Sequence, residues 1–239
     1  MPLEVIATTV ADAKAIEASG AHRIELISGP LEGGLTPTPA LVEAVKEAVS
    51  IPVHAMLRPH AQSFIYDQDD QTVILEEAVC LRKAGADAVV FGALTNDRRI
   101  DLLLLEGVLD KLKNVPVTFH RAIDDCYDLP WEVQRLSQYS QVKWILSSGG
   151  QPDAMTGLDM IRNMTLAART AAEEKNREPV VIMGGAGLTL GNMQPFLEQS
   201  DCEWVHIGRA AREGNDFMKP VSQEAIAQFL QLVSQSEMA

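Results

Sequence analysis

Eight short runs of apolar and β-branched residues recur along this 239-residue chain at intervals of roughly 30 residues, the length of a strand–helix unit. Between the runs lie apolar stripes at helical spacing, such as Leu102, Leu105, Leu109 and Leu112. Regular alternation of strands and helices builds a parallel sheet that helices cover. Because no glycine-rich turn follows the first of the eight units, the sequence predicts an α/β fold, a single (β/α)8 TIM-like barrel over residues 1–239, rather than an open doubly wound sheet. The predicted strands are 3–7, 23–27, 52–58, 88–92, 116–120, 143–147, 179–183 and 204–208.

The charge balance and the cysteine content limit the classes of function. The chain carries 33 acidic and 20 basic residues, for a net charge of −13, so we expect neither nucleic acid nor an anionic membrane as a partner. No charged segment followed by an apolar core begins the chain, and no stretch reaches the ~18 apolar residues of a membrane span. The three cysteines, Cys80, Cys126 and Cys202, lack CxxC spacing, so reduced thiols are expected. These features predict a cytoplasmic protein.

Side-chain alternation along the predicted strands indicates a polar barrel interior. In the second strand Ile24 and Leu26 face the helices, so Arg23 and Glu25 face inward. Barrel interiors are normally filled by branched apolar residues, so polar ones require an explanation. One explanation is a self-neutralised network, since the two acids and two arginines cancel; the other is a functional site. The predicted inward polar residues are Glu4, Arg23, Glu25, His54, Arg58, Thr118, His120, Ser147 and His206.

Position along each strand separates these residues into two groups. Active sites of such barrels lie at the carboxyl ends of the strands, where the fifth strand runs into the ionisable sequence HRAIDD at 120–125. Glu4 and Arg23 lie deeper, as expected of structural residues. The candidate catalytic residues are Glu25, Arg58, His120 and Asp124.

Two small-residue loops predict an anion site. Gly185, Ala186 and Gly187 follow the seventh strand, and Gly208 and Arg209 follow the eighth. Glycines let backbone N–H groups approach an anion closely, and barrels commonly hold phosphate in the loops after strands 7 and 8. Arg209 would add a positive charge. The alternative is that these glycines serve only tight turns.

Signals for metal binding are weaker. Cys126 and His120 are the candidate ligands, at best for a weak Cu(I) site, because HxH, HExxH and CxxC spacings are absent. Alternation places Met56 too deep in the barrel to complete that site. A Cys/His nucleophilic pair is conceivable, although nothing evident orients the histidine. Cys80 is expected in the core, within a helix over 72–84.

Five ordered motifs resemble those of the CutC family, which is named for copper homeostasis: AHRIEL at 21–26, EGGLTP at 32–37, IPVH at 51–54, VTFHRA at 117–122 and MGGAG at 183–187. The resemblance extends almost from end to end. It implies a cytosolic TIM-like barrel that often self-associates and takes part in copper homeostasis, with Cu(I) as a possible ligand. The family's proposed first-strand cysteine ligands are absent, since this chain has Ile6, Ala7 and Thr8 there.

Three functions therefore remain open from the sequence. The resemblance implies a role in copper homeostasis, in which direct copper binding is doubtful. The residues themselves favour an enzyme that acts on a small phosphorylated or otherwise anionic metabolite at the carboxyl face of the barrel. A non-catalytic binding protein is the third. The expected partner is thus a small anion or copper, with a homo-oligomer possible.

Overall fold

The computed structural model describes residues 1–236, so the last three residues of the predicted 1–239 domain lie outside the described residues. Eight parallel strands close into a barrel in sequence order, with β1 pairing with β8, which confirms the predicted (β/α)8 fold. The strands are β1 Leu3–Ala7, β2 Arg23–Leu26, β3 Val53–Met56, β4 Ala88–Phe91, β5 Val117–Phe119, β6 Val142–Ser147, β7 Val181–Gly184 and β8 Trp204–Ile207.

Helices on the outside cover the barrel. They are α1 Val10–Ala18, α2 Pro39–Ala48, α3 Gln68–Lys83, α4 Leu102–Leu112, α5 Leu129–Leu136, α6 Leu158–Glu173, α7 Met193–Gln199 and α8 Gln223–Ser236. Short 3-10 helices follow β5 at Arg121–Asp125 and β8 at Arg209–Ala211. Within residues 1–236, no helix combines the length and the apolar character that a bilayer crossing requires.

Helix α3 begins earlier than predicted because of its cap. The Asp67 side chain accepts from the backbone N–H groups of Asp69 and Asp70, and Asp70 returns a bond to the Asp67 N–H, a capping box that fixes the first turn. The prediction that Cys80 lies in the core is wrong. This residue is on the solvent side of α3, whereas Ile74, Ala78 and Leu81 form the buried side.

The register of the barrel agrees with the predicted alternation. Val5, Ile24 and Val53 are fully buried beneath the helices. The inward residues pair across strands, Glu4 with Arg23 and Glu25 with His54. The main hydrophobic core therefore lies between barrel and helices, and the polar groups line the interior.

Two strands are shorter than predicted at the end that matters for function. β3 ends at Met56 and β5 ends at Phe119, so Arg58 and His120 belong to the connections above the barrel. The Arg58 backbone N–H donates to the Thr36 hydroxyl rather than to a neighbouring strand. Because Arg58 and His120 lie beyond the ends of their strands, both side chains are at the rim of the barrel, on the side of the carboxyl ends.

Candidate functional site

A cavity of about 680 Å³ opens at the carboxyl ends of the strands. This volume suits a small metabolite. Seven of the ten predicted site residues line it, namely Glu25, Arg58, His120, Ala186, Gly187, Gly208 and Arg209. Asp124, Gly185 and Cys126 are not among the lining residues.

Below the cavity, Glu4 and Arg23 form a buried ion pair. The Arg23 Nε atom donates to Glu4 Oε2 at 2.6 Å, and the guanidinium lies over the rings of Trp144 and Trp204, at 4.5 and 4.0 Å. Burial alone would raise the pKa of Glu4, but Arg23 and His206 outweigh it and hold the pKa well below its usual range. This pair occupies the deep position that the sequence assigns to structural residues.

His54 completes the deep layer as a neutral side chain. Its Nδ1 lies 3.2 Å from the Thr118 hydroxyl and 3.9 Å from Glu4 Oε2. Burial, assisted by the charge of Arg23, lowers the pKa of His54 to about 3. The ring therefore adds no charge to the Glu4–Arg23 pair at neutral pH.

His206 connects the deep layer to the cavity. Its Nδ1 lies 2.7 Å from Glu4 Oε1, and its Nε2 lies 3.9 Å from Glu25 Oε2. Burial works to lower the pKa of His206, but the charge of Glu25 and the hydrogen bond and charge of Glu4 together raise it. The geometry is that of a protonated imidazole shared between two carboxyl groups.

Glu25 is the rim acid with an unsatisfied atom. Its Oε1 is buried and has no hydrogen-bond partner within residues 1–236. Burial raises the pKa of Glu25 to about 7, although the charges of His206 and Arg23 oppose the shift. A carboxyl group whose pKa lies near neutrality can both take and return a proton under physiological conditions.

Glu4, Glu25 and His206 each place one potential metal ligand within 4.8 Å of the others. Their surroundings do not suit a cation. Arg23 already neutralises Glu4, and the raised pKa of His206 favours an imidazolium that cannot ligate. The cluster is arranged to share protons rather than to hold a metal.

Arg58 carries a positive charge into the cavity wall. Its Nη1 donates to the backbone carbonyls of Glu32 and Gly34, at 3.1 and 3.3 Å, while its Nε has no partner within the described residues. The Phe64 ring lies 4.8 Å from the Arg58 Cζ atom. Within the part of the chain that the structure describes, no carboxylate lies within ion-pair distance of this guanidinium. The self-neutralised network that the sequence allowed therefore extends only to the deep layer.

His120 is held as a neutral hydrogen-bond donor. Its Nδ1 accepts from the Ala122 backbone N–H at 3.1 Å, which places the ring proton on Nε2, and Nε2 has no partner within residues 1–236. Burial and the charge of Arg58 lower the pKa of His120 to about 3. Gly92 makes room for the ring, since a Cβ there would lie 2.6 Å from His120 Nδ1.

Asp124 is saturated with hydrogen bonds and lies away from the cavity lining. Its carboxylate accepts from the Ser147 and Ser148 hydroxyls at 2.5 and 2.9 Å, from the Gly150 backbone N–H at 3.1 Å and from Arg121 Nε at 2.8 Å. It therefore ties the segment after β5 to the loop after β6. Its catalytic role stays a prediction, and the geometry is that of a positioning residue.

The loops after β7 and β8 line the cavity with backbone donors. Within residues 1–236, the N–H groups of Gly187, Leu188 and Gly208 make no hydrogen bond to a protein acceptor. Ala186 and Gly187 both have positive φ, 75° and 69°, an arrangement that a residue with a side chain rarely adopts without a functional or structural constraint. The Gly185 N–H is bound to the Ser147 carbonyl, so it is unavailable to a ligand.

Two sulfur-bearing residues bear on the copper prediction. Burial, with contributions from Glu132 and Asp125, raises the pKa of Cys126 to about 12, which disfavours the thiolate that Cu(I) prefers. Met56 lines the cavity whereas Cys126 does not, and the expectation that Met56 does not complete a site at Cys126 stays a prediction. The use of His120 as a second ligand stays a prediction, and its Nδ1 lone pair already accepts from the Ala122 N–H.

Arg121 and Phe64 are among the cavity-lining residues that sequence reasoning did not assign to the site. Arg121 is half-exposed and donates to both Asp124 and Ser148, and Phe64 lies with its ring 5.0 Å from that of His120. Arg121 immediately follows the predicted catalytic residue His120, and this position in the sequence could have indicated that it lines the cavity. Phe64 comes from the long connection after β3, whose path alternation does not predict.

The chain matches the model of the CutC family over residues 1–211. It is 34% identical to the copper homeostasis protein cutC homolog of Drosophila melanogaster over 223 residues, which cover 92% of this chain and 81% of that protein. It is 35% identical to the homolog of Mus musculus over 214 residues, which cover 90% and 75%.

Solved structures agree with the architecture. A CutC structure from Streptococcus agalactiae superposes with a TM-score of 0.78 at 23% identity, covering 87% of this chain and 98% of that one. Thiamine phosphate pyrophosphorylase from Pyrococcus furiosus shares the fold alone, with a TM-score of 0.64 at 12% identity and coverage of 98% and 96%. The family model and the curated relatives lead to one conclusion: the chain belongs to the CutC family.

Proposed function

We propose that the chain binds a small, phosphate-bearing metabolite in the cavity at the carboxyl face of the barrel and acts on it as an enzyme. The observation that carries this proposal is the pair of loops after β7 and β8. Gly187, Leu188 and Gly208 in these loops line one cavity, and their backbone N–H groups have no protein acceptor within residues 1–236. Such donors, together with a nearby cation, are what an oxyanion needs.

Local charge supports the same ligand despite the acidic protein. Arg58, Arg121 and Arg209 line the cavity, against the carboxylates of Glu25 and Glu32. Fields from the distant acidic surface are screened beyond about 8 Å at physiological salt. Because Arg121 is paired with Asp124, an anion in the cavity is attracted mainly by Arg58, Arg209 and the backbone N–H groups.

Arg209 offers the cleanest test of the anion site. It is exposed at the rim, so Arg209→Ala leaves the barrel intact, whereas a Cβ at Gly187 would lie 2.6 Å from Asp153 Cβ and strain the loop. We expect calorimetric titration with inorganic phosphate to show binding by the unmodified protein. Binding should be roughly 10- to 150-fold weaker in Arg209→Ala, since a charged hydrogen bond contributes roughly 1.5–3 kcal/mol.

Arg169→Ala is the matched control, because Arg169 is exposed on α6, away from the cavity lining. Its affinity for phosphate should equal that of the unmodified protein. The proposal fails if neither phosphate nor sulfate binds the unmodified protein. It also fails if both arginine variants weaken binding equally, since this would indicate general charge attraction rather than a site.

A copper role is the second candidate, because the curated relatives carry that name. Direct binding would have to use Cys126 with few other soft ligands nearby, so we expect Cu(I) affinity to be weak. Competition for Cu(I) with a coloured chelator tests this, using Cys126→Ser and, as control, the exposed Cys80→Ser. Tight stoichiometric binding lost only in Cys126→Ser would favour copper over the metabolite. Self-association, the absence of nucleic-acid and membrane partners and a cytoplasmic location stay predictions.

A further inference from the structure

We propose that this cavity catalyses reversible proton transfer at a carbon next to the carbonyl group of a small phosphorylated sugar, with Glu25 as the base and His120 as a hydrogen-bond donor to the carbonyl oxygen. The inference rests on the proposed function, whose anion site would hold the phosphate. It adds the reaction class and assigns the roles of the two side chains.

Glu25 has the geometry of a base that waits for a substrate. It lines the cavity, and its Oε1 is free while Oε2 faces His206 Nε2 at 3.9 Å. His206 is in turn fixed by Glu4 at 2.7 Å, so it acts as a positioning residue for Glu25. Because Oε1 holds no hydrogen bond, it is available to take a proton, and it reaches the reacting carbon when the Glu25 side chain turns from its buried position toward the cavity.

His120 has the geometry of an electrophile. The Ala122 N–H occupies Nδ1, so the imidazole presents the Nε2 proton and cannot act as a base through that atom. A neutral imidazole polarises a carbonyl without giving up its proton completely. Arg58 adds an unengaged Nε and a positive charge on the same cavity.

Phe64 shields both donors from water. Its ring lies 5.0 Å from the His120 ring and 4.8 Å from Arg58 Cζ, and the two unpartnered nitrogens are buried. The Phe64 side chain must turn aside when the carbonyl oxygen reaches these donors. Exclusion of water strengthens both hydrogen bonds to the developing negative charge.

The anion site lies where this chemistry requires it. Gly208 follows His206 by two residues at the end of β8, so a phosphate at the loop after β8 places the attached carbon chain next to His206 and Glu25. On the opposite side of the cavity, His120 and Arg58 follow β5 and β3. A short sugar phosphate in a volume of about 680 Å³ can contact both sets of groups.

The reaction is balanced without an external oxidant. Glu25 takes the proton from carbon, the pair of electrons of that C–H bond forms a carbon–carbon double bond, and the carbonyl π electrons move to oxygen. His120 Nε2–H and Arg58 stabilise the resulting enediolate oxygen. Glu25 then returns its proton to the same carbon, and the carbonyl forms again, so the oxidation level is unchanged.

Hydrogen–deuterium exchange in D₂O tests the proposal. Dihydroxyacetone phosphate and ribose 5-phosphate are followed by proton NMR, with dihydroxyacetone and ribose as unphosphorylated controls. We expect the protein to catalyse loss of the signal from the carbon next to the carbonyl in at least one phosphorylated probe, faster than in its unphosphorylated control. Glu25→Gln should slow exchange by roughly 10²–10⁴-fold, the usual contribution of a general base.

Glu25→Asp should recover part of the exchange rate, because it keeps a carboxylate, and Glu76→Gln, on the exposed side of α3, should match the unmodified protein. His120→Phe should lose exchange while it still binds phosphate by calorimetry. No exchange with either phosphorylated probe, or full exchange in a folded Glu25→Gln, would overturn the inference. If phosphate still binds in that case, the proposed anion site stands; if phosphate does not bind, both fall.

Discussion

The barrel interior has a deep layer, with Glu4, Arg23 and His54, and a rim layer, with Glu25, Arg58 and His120. Each layer contains one glutamate, one arginine and one histidine, but the two layers differ in how these side chains are paired. In the deep layer, Glu4 is paired with Arg23 at 2.6 Å and His206 at 2.7 Å. In the rim layer, Glu25, Arg58 and His120 each keep a buried atom without a partner within residues 1–236. Because an unsatisfied buried polar atom costs free energy, the rim layer is less stable than an apolar one would be. Within residues 1–236, Arg23 Nη1 in the deep layer also lacks a partner, but the Arg23 charge is compensated by Glu4, whereas no carboxylate lies within ion-pair distance of Arg58. Polarity alone therefore does not mark a site, and an uncompensated charge at the cavity does.

Asp124 shows that a position near the carboxyl ends of the strands does not by itself identify a ligand-binding residue. It lies near the rim, yet Ser147, Ser148 and Arg121 satisfy its carboxylate. Its role is to fix the loops that surround the cavity. Four stability measurements, from the largest expected effect to the smallest, test the contrast.

Removal of the deep carboxylate should have the largest effect. Glu4→Gln leaves Arg23 buried without its counterion, so we expect a loss of about 3–5 kcal/mol in the free energy of unfolding, measured with urea. Glu43→Gln, on the exposed side of α2, is the control and should change stability by less than about 0.5 kcal/mol. A loss below about 1 kcal/mol for Glu4→Gln would contradict the description of the deep layer as a charge-compensated unit.

Removal of the Glu25 carboxylate should increase the free energy of unfolding at alkaline pH, whereas removal of the Glu4 carboxylate decreases it. Folding raises the pKa of Glu25 from 4.5 to about 7, so the stability that the proton provides is present below 4.5 and is lost as the pH rises through 7. A glutamine at this position does not titrate, so Glu25→Gln does not lose stability in this way as the pH rises. The variant should gain about 3 kcal/mol over the unmodified protein above pH 8 and nothing below about pH 4.5, since one pKa unit is worth 1.36 kcal/mol.

Urea unfolding at several pH values measures this difference. Glu4, His206 and Arg23 surround Glu25 and contribute to its titration, so the comparison is made between the two proteins at each pH. A difference that does not change with pH would show that Glu25 titrates in the folded protein as it does in the unfolded chain.

Replacement of the fully hydrogen-bonded Asp124 carboxylate should have a moderate effect on stability. Asp124→Asn replaces an acceptor with an amide that cannot accept all the bonds from Ser148, Gly150 and Arg121, so we expect a loss of about 1–3 kcal/mol. Asp110→Asn, exposed on α4, serves as the control. If Asp124→Asn abolished catalysis without changing stability or phosphate binding, a catalytic role would replace the positioning role.

The smallest effect should come from the rim arginine. Arg209 is exposed and contacts Phe217 only at 5.8 Å, so Arg209→Ala should change the free energy of unfolding by less than about 0.5 kcal/mol. Thermal unfolding in the presence of phosphate should then show less stabilisation than in the unmodified protein. A large loss without phosphate would mean that Arg209 supports the fold.

The sequence alone was sufficient to predict the barrel and the composition of its interior. The period of the strands and helices predicted closure, and alternation placed Glu4, Arg23, Glu25, His54 and His206 inside, as the structure confirms. These inferences succeed because strand geometry fixes the face of each side chain from local order. The small-residue loops after β7 and β8 were equally visible, since their positions follow from the strand count.

Only the tertiary structure decided which inward charges are neutralised. Arg58 bonds to the carbonyls of Glu32 and Gly34 rather than to a carboxylate, Asp124 is saturated, and His120 keeps a free proton because Ala122 occupies its other nitrogen. Such pairings depend on distances between atoms of strands and loops that are far apart in the chain. The alternation of side chains along a strand does not predict these distances. The sequence by itself thus determines that this barrel has a polar interior, whereas packing across the barrel determines which part of it is left unsatisfied for a ligand.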